Sequence, residues 1–222
     1  MKQVVLDTET TGLKVKEGHR IVEIGCIELE NYVPTKNIFH CYLNPERNVS
    51  ETALKVHGYT DEFLSDKKKF NEVAEDFLNF INEKEIIIHN AEFDISHLNN
   101  ELSLIGKSKI NINNVIDTLE LAREKFPGSS ISLDALCKRF RIDNSRRIKH
   151  TALIDCELLS RVYVNLIDQK EPKLDFNRTK ENHFSLIDNE KILHCKTIVK
   201  PSTEELSSHK EFIKKNLKKN NF

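Results

Sequence analysis

Residues 3–13 read QVVLDTETTGL, an apolar, β-branched run that stops on two acids and then on small residues. Residues 3–7 have the composition of a short buried strand. If the strand persists beyond Asp7, its period of two places the Asp7 and Glu9 carboxylates on one face. Two carboxylates side by side repel unless something neutralises them. Thr10, Thr11 and Gly12 are small enough to let the chain turn and a ligand approach the backbone. Taken alone, a D-x-E is more often a turn with solvated acids, so the reading rests on what the rest of the chain supplies.

Outward from this segment, residues 21–29 (IVEIGCIEL) and 38–43 (IFHCYL) are two further strand candidates separated by turn formers. Ser50 caps a helix containing residues 52–56, and residues 70–81 carry an amphipathic stripe of Phe70, Val73, Ala74, Phe77, Leu78 and Ile81. A strand at 85–89, a helix at 93–105, a short strand at 115–116 and helices near Leu119, Ser132 and Thr151 follow. The alternation predicts an α/β domain on a mixed sheet.

Composition sets the limits on function. The chain has 222 residues, 38% hydrophobic and 31% charged, with 34 Lys and Arg against 35 Asp and Glu for a formal net charge of −1. That length suits one sizeable core with an appendage. No apolar run reaches the roughly 18–20 residues of a spanning helix, and six Gly with five Pro exclude collagen-like or Pro/Gly-rich chains. A protein living on phosphate contacts would be clearly basic, so nucleic-acid binding here has to be local or metal-assisted. MKQVVLDTET has no apolar core of a secretory signal, and the five cysteines, odd in number and without a CxxC pair, suit reduced thiols; the expected compartment is the cytoplasm. Residues 169–222 hold 12 Lys and Arg against 8 acids, +4, which leaves 22 against 27, −5, for residues 1–168. The apolar pattern also breaks near Gln169, where a polar linker begins.

Two more acids fall where apolar residues belong. In the helix after Thr151 the stripe Ala152, Cys156, Leu159, Val162, Tyr163 and Leu166 includes Asp155. Asp94 shares a stripe with Leu98, Leu102 and Ile105 at the start of its helix, where free N–H groups favour an anion. Four inward acids with no Arg or Lys partner in sequence reach are costly unless they hold metal, and hard carboxylate oxygens suit Mg²⁺ or Mn²⁺. His150, five residues before Asp155, is placed to act as general base, because an imidazole with its pKa of about 6.5 accepts a proton at neutral pH. Two divalent ions and a base are the requirements for hydrolysing a phosphodiester. Pattern alone therefore predicts a two-metal phosphoryl hydrolase.

The segments DTETTGL (7–13), HNAEFD (89–94) and KHTALID (149–155), in that order and spacing, resemble the three exonuclease motifs of the DEDD superfamily, His variant. VHGYTDEFL (56–64) is similar to the bacterial proofreading branch, which serves the replicative DNA polymerase III. The resemblance covers residues 1–168 and implies a ribonuclease H-like exonuclease fold: a five-stranded mixed sheet flanked by helices, followed by a flexible C-terminal tail. It implies 3′–5′ removal of mispaired terminal DNA nucleotides as monophosphates, with two divalent ions, Mg²⁺ or Mn²⁺. By the same resemblance Asp7, Glu9, Asp155 and Asp94 are metal ligands and His150 the base. Thr10, Thr11, Leu13, Val56, His57 and Phe93 contact the terminal nucleotide of a single-stranded primer end, while His89 and Asn90 shape the second-motif turn.

The tail divides into a linker, 169–195, and residues 196–222. EPKLDF (171–176) resembles a sliding-clamp motif with Leu174 and Phe176 as anchors, although Glu171 stands where Gln is usual. Residues 196–216 resemble the tail by which the branch binds the polymerase catalytic (alpha) subunit. Ser202 and Glu205 form a capping-box start, with Leu206, Phe212 and Ile213 among the contact residues. The implied location is the bacterial cytoplasm, at nucleoid replication forks.

Overall fold

A computed structural model describes residues 1–147, 149–168 and 201–216. The chain divides into two units, Met1–Asp175 and Phe176–Phe222. The first contains a sheet of β1 (Lys2–Thr10), β2 (Ile21–Glu30), β3 (Val33–Tyr42), β4 (Glu85–Ile88) and β5 (Val115–Asp117), in the order β3-β2-β1-β4-β5. The first three strands pair antiparallel, and β4 and β5 add parallel. The mixed sheet is thus the one expected.

Alternation along β1 sorts the core into two layers. Val4 and Leu6 point to one face, against α3 (Phe70–Ile81) and α4 (Ala91–Leu104) through Phe77, Leu98 and Leu102. Val5 points to the other, against α5 (Thr118–Lys125), α6 (Leu133–Phe140) and α7 (Ala152–Leu166) through Ala122, Leu136, Leu159 and Val162. Because β1 runs on to Thr10, Asp7 and Glu9 share the face of Val5 and meet α7. Thr8 lies on the opposite face with Leu6 and meets α4.

Helix boundaries follow local chemistry. The Ser50 hydroxyl accepts the Ala53 N–H at 3.2 Å and starts α1 (Glu51–His57). The Thr151 hydroxyl does the same for Ile154 at 3.3 Å. Asn90, left-handed at φ 70°, precedes α4, and its N–H and that of Ala91 both donate to Asp117 at 3.0 Å. Several elements depart from the sequence reading, β3 and a short helix among them. β3 begins at Val33 rather than 38, because pairing with β2 carries Pro34 and the polar residues 35–37 along an exposed sheet edge. A five-residue helix, α2 (Asp61–Ser65), buries only Leu64 and is too short to show periodicity.

In the second unit, α8 (Thr203–Asn216) begins with the expected capping box. The Ser202 hydroxyl accepts Glu205 N–H at 3.2 Å, and the Glu205 carboxylate accepts Ser202 N–H at 2.8 Å. Leu206 and Phe212 are exposed and Ile213 is partly buried. The linker 169–195, with Leu174 and Phe176, lies outside the described residues. Among those described, Cys26, Cys41, Cys137 and Cys156 are free thiols, and no helix is long and apolar enough to cross a membrane.

Candidate active site

Asp7, Glu9, Phe93, Asp94, His150 and Asp155 line one cavity of about 480 Å³ at the end of β1 where the acids lie. Three elements supply them. β1 brings Asp7 and Glu9, α4 brings Phe93 and Asp94, and α7 with its preceding loop brings Asp155 and His150. Ligating atoms of Glu9, His150 and Asp155 lie within 4.8 Å of one another.

The electrostatics are those of a crowded acid site. Burial, reinforced by Asp94, Asp155, Glu9 and Glu23, pushes the Asp7 carboxyl well above its ordinary range. Burial and then Asp155, Glu23 and Asp94 push Glu9 up to about 8. Asp94 rises to about 7 through burial, moderated by hydrogen bonds from the Thr8 hydroxyl at 2.7 Å and Thr8 N–H at 2.9 Å. These bonds tie α4 to β1, whereas the sequence reading gave Asp94 only the N–H groups of its own helix. Hard oxygen donors that repel one another in a shared cavity fit a divalent cation.

Asp155 differs from its neighbours, and here the sequence reading needs correction. Arg147, only 7% exposed, forms a bidentate pair with Asp155 at 2.6 and 2.7 Å. It also reaches Asp134 at 2.7 Å and His150 Nδ1 at 2.8 Å. One of the four inward acids, Asp155, therefore does have a cationic partner. Although burial raises the Asp155 carboxyl, the adjacent His150 ring and the Arg147 guanidinium bring it below its ordinary value. A guanidinium only donates, so His150 Nδ1 accepts from Arg147 and the neutral ring carries its proton on Nε2. The His150 side chain is 44% exposed.

Of the expected nucleotide contacts, Phe93 lines the cavity, as do His89 and Asn90 of the second motif. Thr10 and Thr11 are buried and occupied within the turn: the Thr10 hydroxyl donates to Gly12 C=O at 2.8 Å, and the Thr11 hydroxyl meets His19 Nδ1 at 3.0 Å. Leu13 and Val56 expose apolar surface, and Val56 C=O accepts His150 N–H at 3.3 Å. His57 is buried against the Tyr59 ring, with centroids 4.8 Å apart. Sequence reasoning missed Arg147, Asp117 and Thr8. Arg147 was visible only as one of two arginines before His150, and neither Asp117 nor Thr8 stands out in the linear pattern.

A family model described as Exonuclease matches residues 4–163. The DNA polymerase III subunit epsilon of Rickettsia typhi is 49% identical over 222 residues, covering 97% of this chain and 96% of that protein. The chain belongs to the exonuclease family, in its DNA polymerase III epsilon branch. It is a 3′–5′ exonuclease. The epsilon subunit of Rickettsia felis is 47% identical, with 98% of each chain covered, and that of Haemophilus influenzae 42%, covering 96% of this chain and 90% of that one. Solved structures share the exonuclease's fold. The nuclease domain of 3′hExo, a DEDDh family member bound to rAMP, has a TM-score of 0.66 at 18% identity, covering 76% of this chain and 92% of that one. Exonuclease X in complex with 5′-overhanging duplex DNA has a TM-score of 0.59 at 24% identity, with the same coverages.

Proposed function

We propose that this exonuclease is the proofreading subunit of a bacterial replicative DNA polymerase III, removing mispaired 3′-terminal nucleotides of primer DNA as monophosphates. The observation that carries the reading is the convergence of Asp7, Glu9, Asp94, His150 and Asp155 on one cavity in a chain of the epsilon branch. Asp7, Glu9 and Asp155, with Asp94 in support, would hold two divalent cations, Mg²⁺ or Mn²⁺. When bound, such ions would supply the activation of water and the stabilisation of charge on the phosphodiester oxygens.

The chain's own groups do the rest. Once the ring parts from Arg147, His150 offers a lone pair and takes the proton of the attacking water. Arg147, released from the base, remains a donor suited to the phosphate or to Asp155. Phe93 borders the terminal nucleotide, Leu13 and Val56 offer apolar surface beside it, and His57, Thr10 and Thr11 back this side of the site. A frayed mismatch is less costly to unstack than a paired end, so selectivity needs no reading of the base. The polymerase's alpha subunit is the partner of α8 through Leu206, Phe212 and Ile213, and the clamp is the partner of Leu174 and Phe176. The place of action is the replication fork in the bacterial cytoplasm.

The test is a primer with a 3′ mismatch incubated with the full chain and Mg²⁺ or Mn²⁺. Stepwise release of 3′ mononucleotides, faster from DNA than from the RNA equivalent, is expected. Equal or faster release from RNA would overturn the DNA assignment.

A further inference from the structure

Glu23 of β2 is a fully enclosed acid that no step above uses. It stands opposite Glu9 in the β1–β2 register. Its Oε1 lies 2.8 Å from His40 Nε2 on β3. Its Oε2 accepts the Tyr59 hydroxyl at 2.8 Å and the Ala152 N–H at 2.9 Å. Burial and the adjacent Glu23 carboxylate push the Tyr59 phenol upward, which keeps it protonated and donating.

The last two bonds join the two halves of the site. Ala152 is the first residue of α7, and its amide is one of the donors a helix N-terminus leaves unpaired. Asp155 lies three residues on, and His150 two residues before. Tyr59 in turn holds His57: the rings stack, and Tyr59 N–H donates to His57 Nδ1 at 3.0 Å. A single carboxylate oxygen thus fixes both the start of the metal-side helix and the segment behind the nucleotide.

We propose that Glu23 is a positioning residue that couples the His57–Tyr59 side of the nucleotide pocket to the α7 metal ligand, an inference that rests on the functional reading above. A carboxylate suits the place because at least two of its three neighbours, the Tyr59 hydroxyl and the Ala152 N–H, arrive as donors. Glutamine has the same shape and can keep one oxygen toward Tyr59 and Ala152, but it removes the negative charge that strengthens both of those bonds and sets an NH2 against His40 Nε2.

The experiment compares wild type, Glu23→Gln and Tyr59→Phe as full chains. It measures kcat and KM on a single-stranded oligodeoxynucleotide and Mn²⁺ affinity by calorimetry, below the melting temperature of each. Glu23→Gln is expected to lose about tenfold in both kcat/KM and Mn²⁺ affinity, the scale for groups that orient metal ligands. Tyr59→Phe removes one arm, so its KM is expected to rise about two- to tenfold with Mn²⁺ affinity held at the wild-type value. A purely structural role would lower only the melting temperature. Wild-type kinetics and Mn²⁺ affinity in folded Glu23→Gln would overturn the inference. If Glu23→Gln does not fold, an unchanged KM in Tyr59→Phe would overturn it. A wild type that binds Mn²⁺ yet releases no nucleotide would overturn the functional reading instead, and the Mn²⁺ affinity of Glu23→Gln would still decide the coupling.

Discussion

Asp7 and Asp155 share one cavity but sit in surroundings of opposite sign. Asp7 is pushed up by burial and by the acids around it, whereas Asp155 is held down by His150 and Arg147 against the cost of burial. Neutralising each therefore has opposite effects on the metal-free protein. Asp7→Asn is expected to raise its melting temperature, by removing a repelled charge. Asp155→Asn is expected to cost about 3 kcal/mol, because it leaves the nearly buried Arg147 short of its main partner. Differential scanning calorimetry in chelator checks both, and shifts of the same sign would contradict the account. The pH dependence follows from the raised acids. Glu9 moves from 4.5 to about 8 and Asp94 from 3.8 to about 7, so between those limits the folded state binds more protons than the unfolded chain. The metal-free protein should therefore lose stability as pH rises through that window. Asp155 works the other way, its contribution being present above the ordinary carboxylate range and lost as pH falls through its lowered value. The check is the melting temperature against pH in chelator, with Glu9→Gln expected to flatten the decline. The acids could be read in the sequence because each interrupts an apolar stripe. Glu23 could not, because its partners lie on other elements, and Arg147, in a polar stretch beside Arg146 and Lys149, looks like any solvated charge.

At the scale of elements, α7 decides whether the site exists, since it carries Asp155 across the sheet to the acids of β1. Its approach is unusually close. A Cβ added at Gly25 of β2 would lie 2.6 Å from the Ala152 carbonyl carbon and 2.8 Å from Leu153 N. The Cys156 thiol also donates to Gly25 C=O at 3.2 Å. Gly25→Ala is therefore expected to push α7 outward, costing about 1–3 kcal/mol of stability. The displacement should also lower kcat, because a shift of about 1 Å in a catalytic group can cost up to a hundredfold. Thermal melts together with kcat on the folded protein test this, and an unchanged kcat would show that α7 need not sit so close. The helix itself was legible from its stripe, and residues 70–81 from theirs. The approach to β2 was not, because a glycine in a strand does not say which backbone it admits. β3 was read too short for a related reason: an edge strand with exposed, polar residues loses the apolar alternation by which strands are recognised.

For the whole molecule, charge and length divide the work. The first 168 residues carry −5 and contain every residue lining the cavity, while residues 169–222 carry +4. Such a domain gains little from phosphate contacts, which suits an enzyme whose primer is held by a partner. Truncation after Asp168 is expected to leave kcat near the wild-type value and to abolish capture by the polymerase alpha subunit in a pull-down. Capture by the truncated chain would move the polymerase contact out of the tail. The architecture was legible in the order of apolar segments and the family in three short motifs. The long-range pairings that close the site were not, being set by tertiary packing. The central claim is that four acids and one histidine form a metal-dependent 3′ nuclease. Its most direct test is nucleotide release from a 3′-mismatched primer in Mn²⁺, measured for the wild type and Asp155→Ala side by side. Stepwise 3′ mononucleotides from the wild type, and none from a folded Asp155→Ala, is the predicted result. Equal release from both would contradict it.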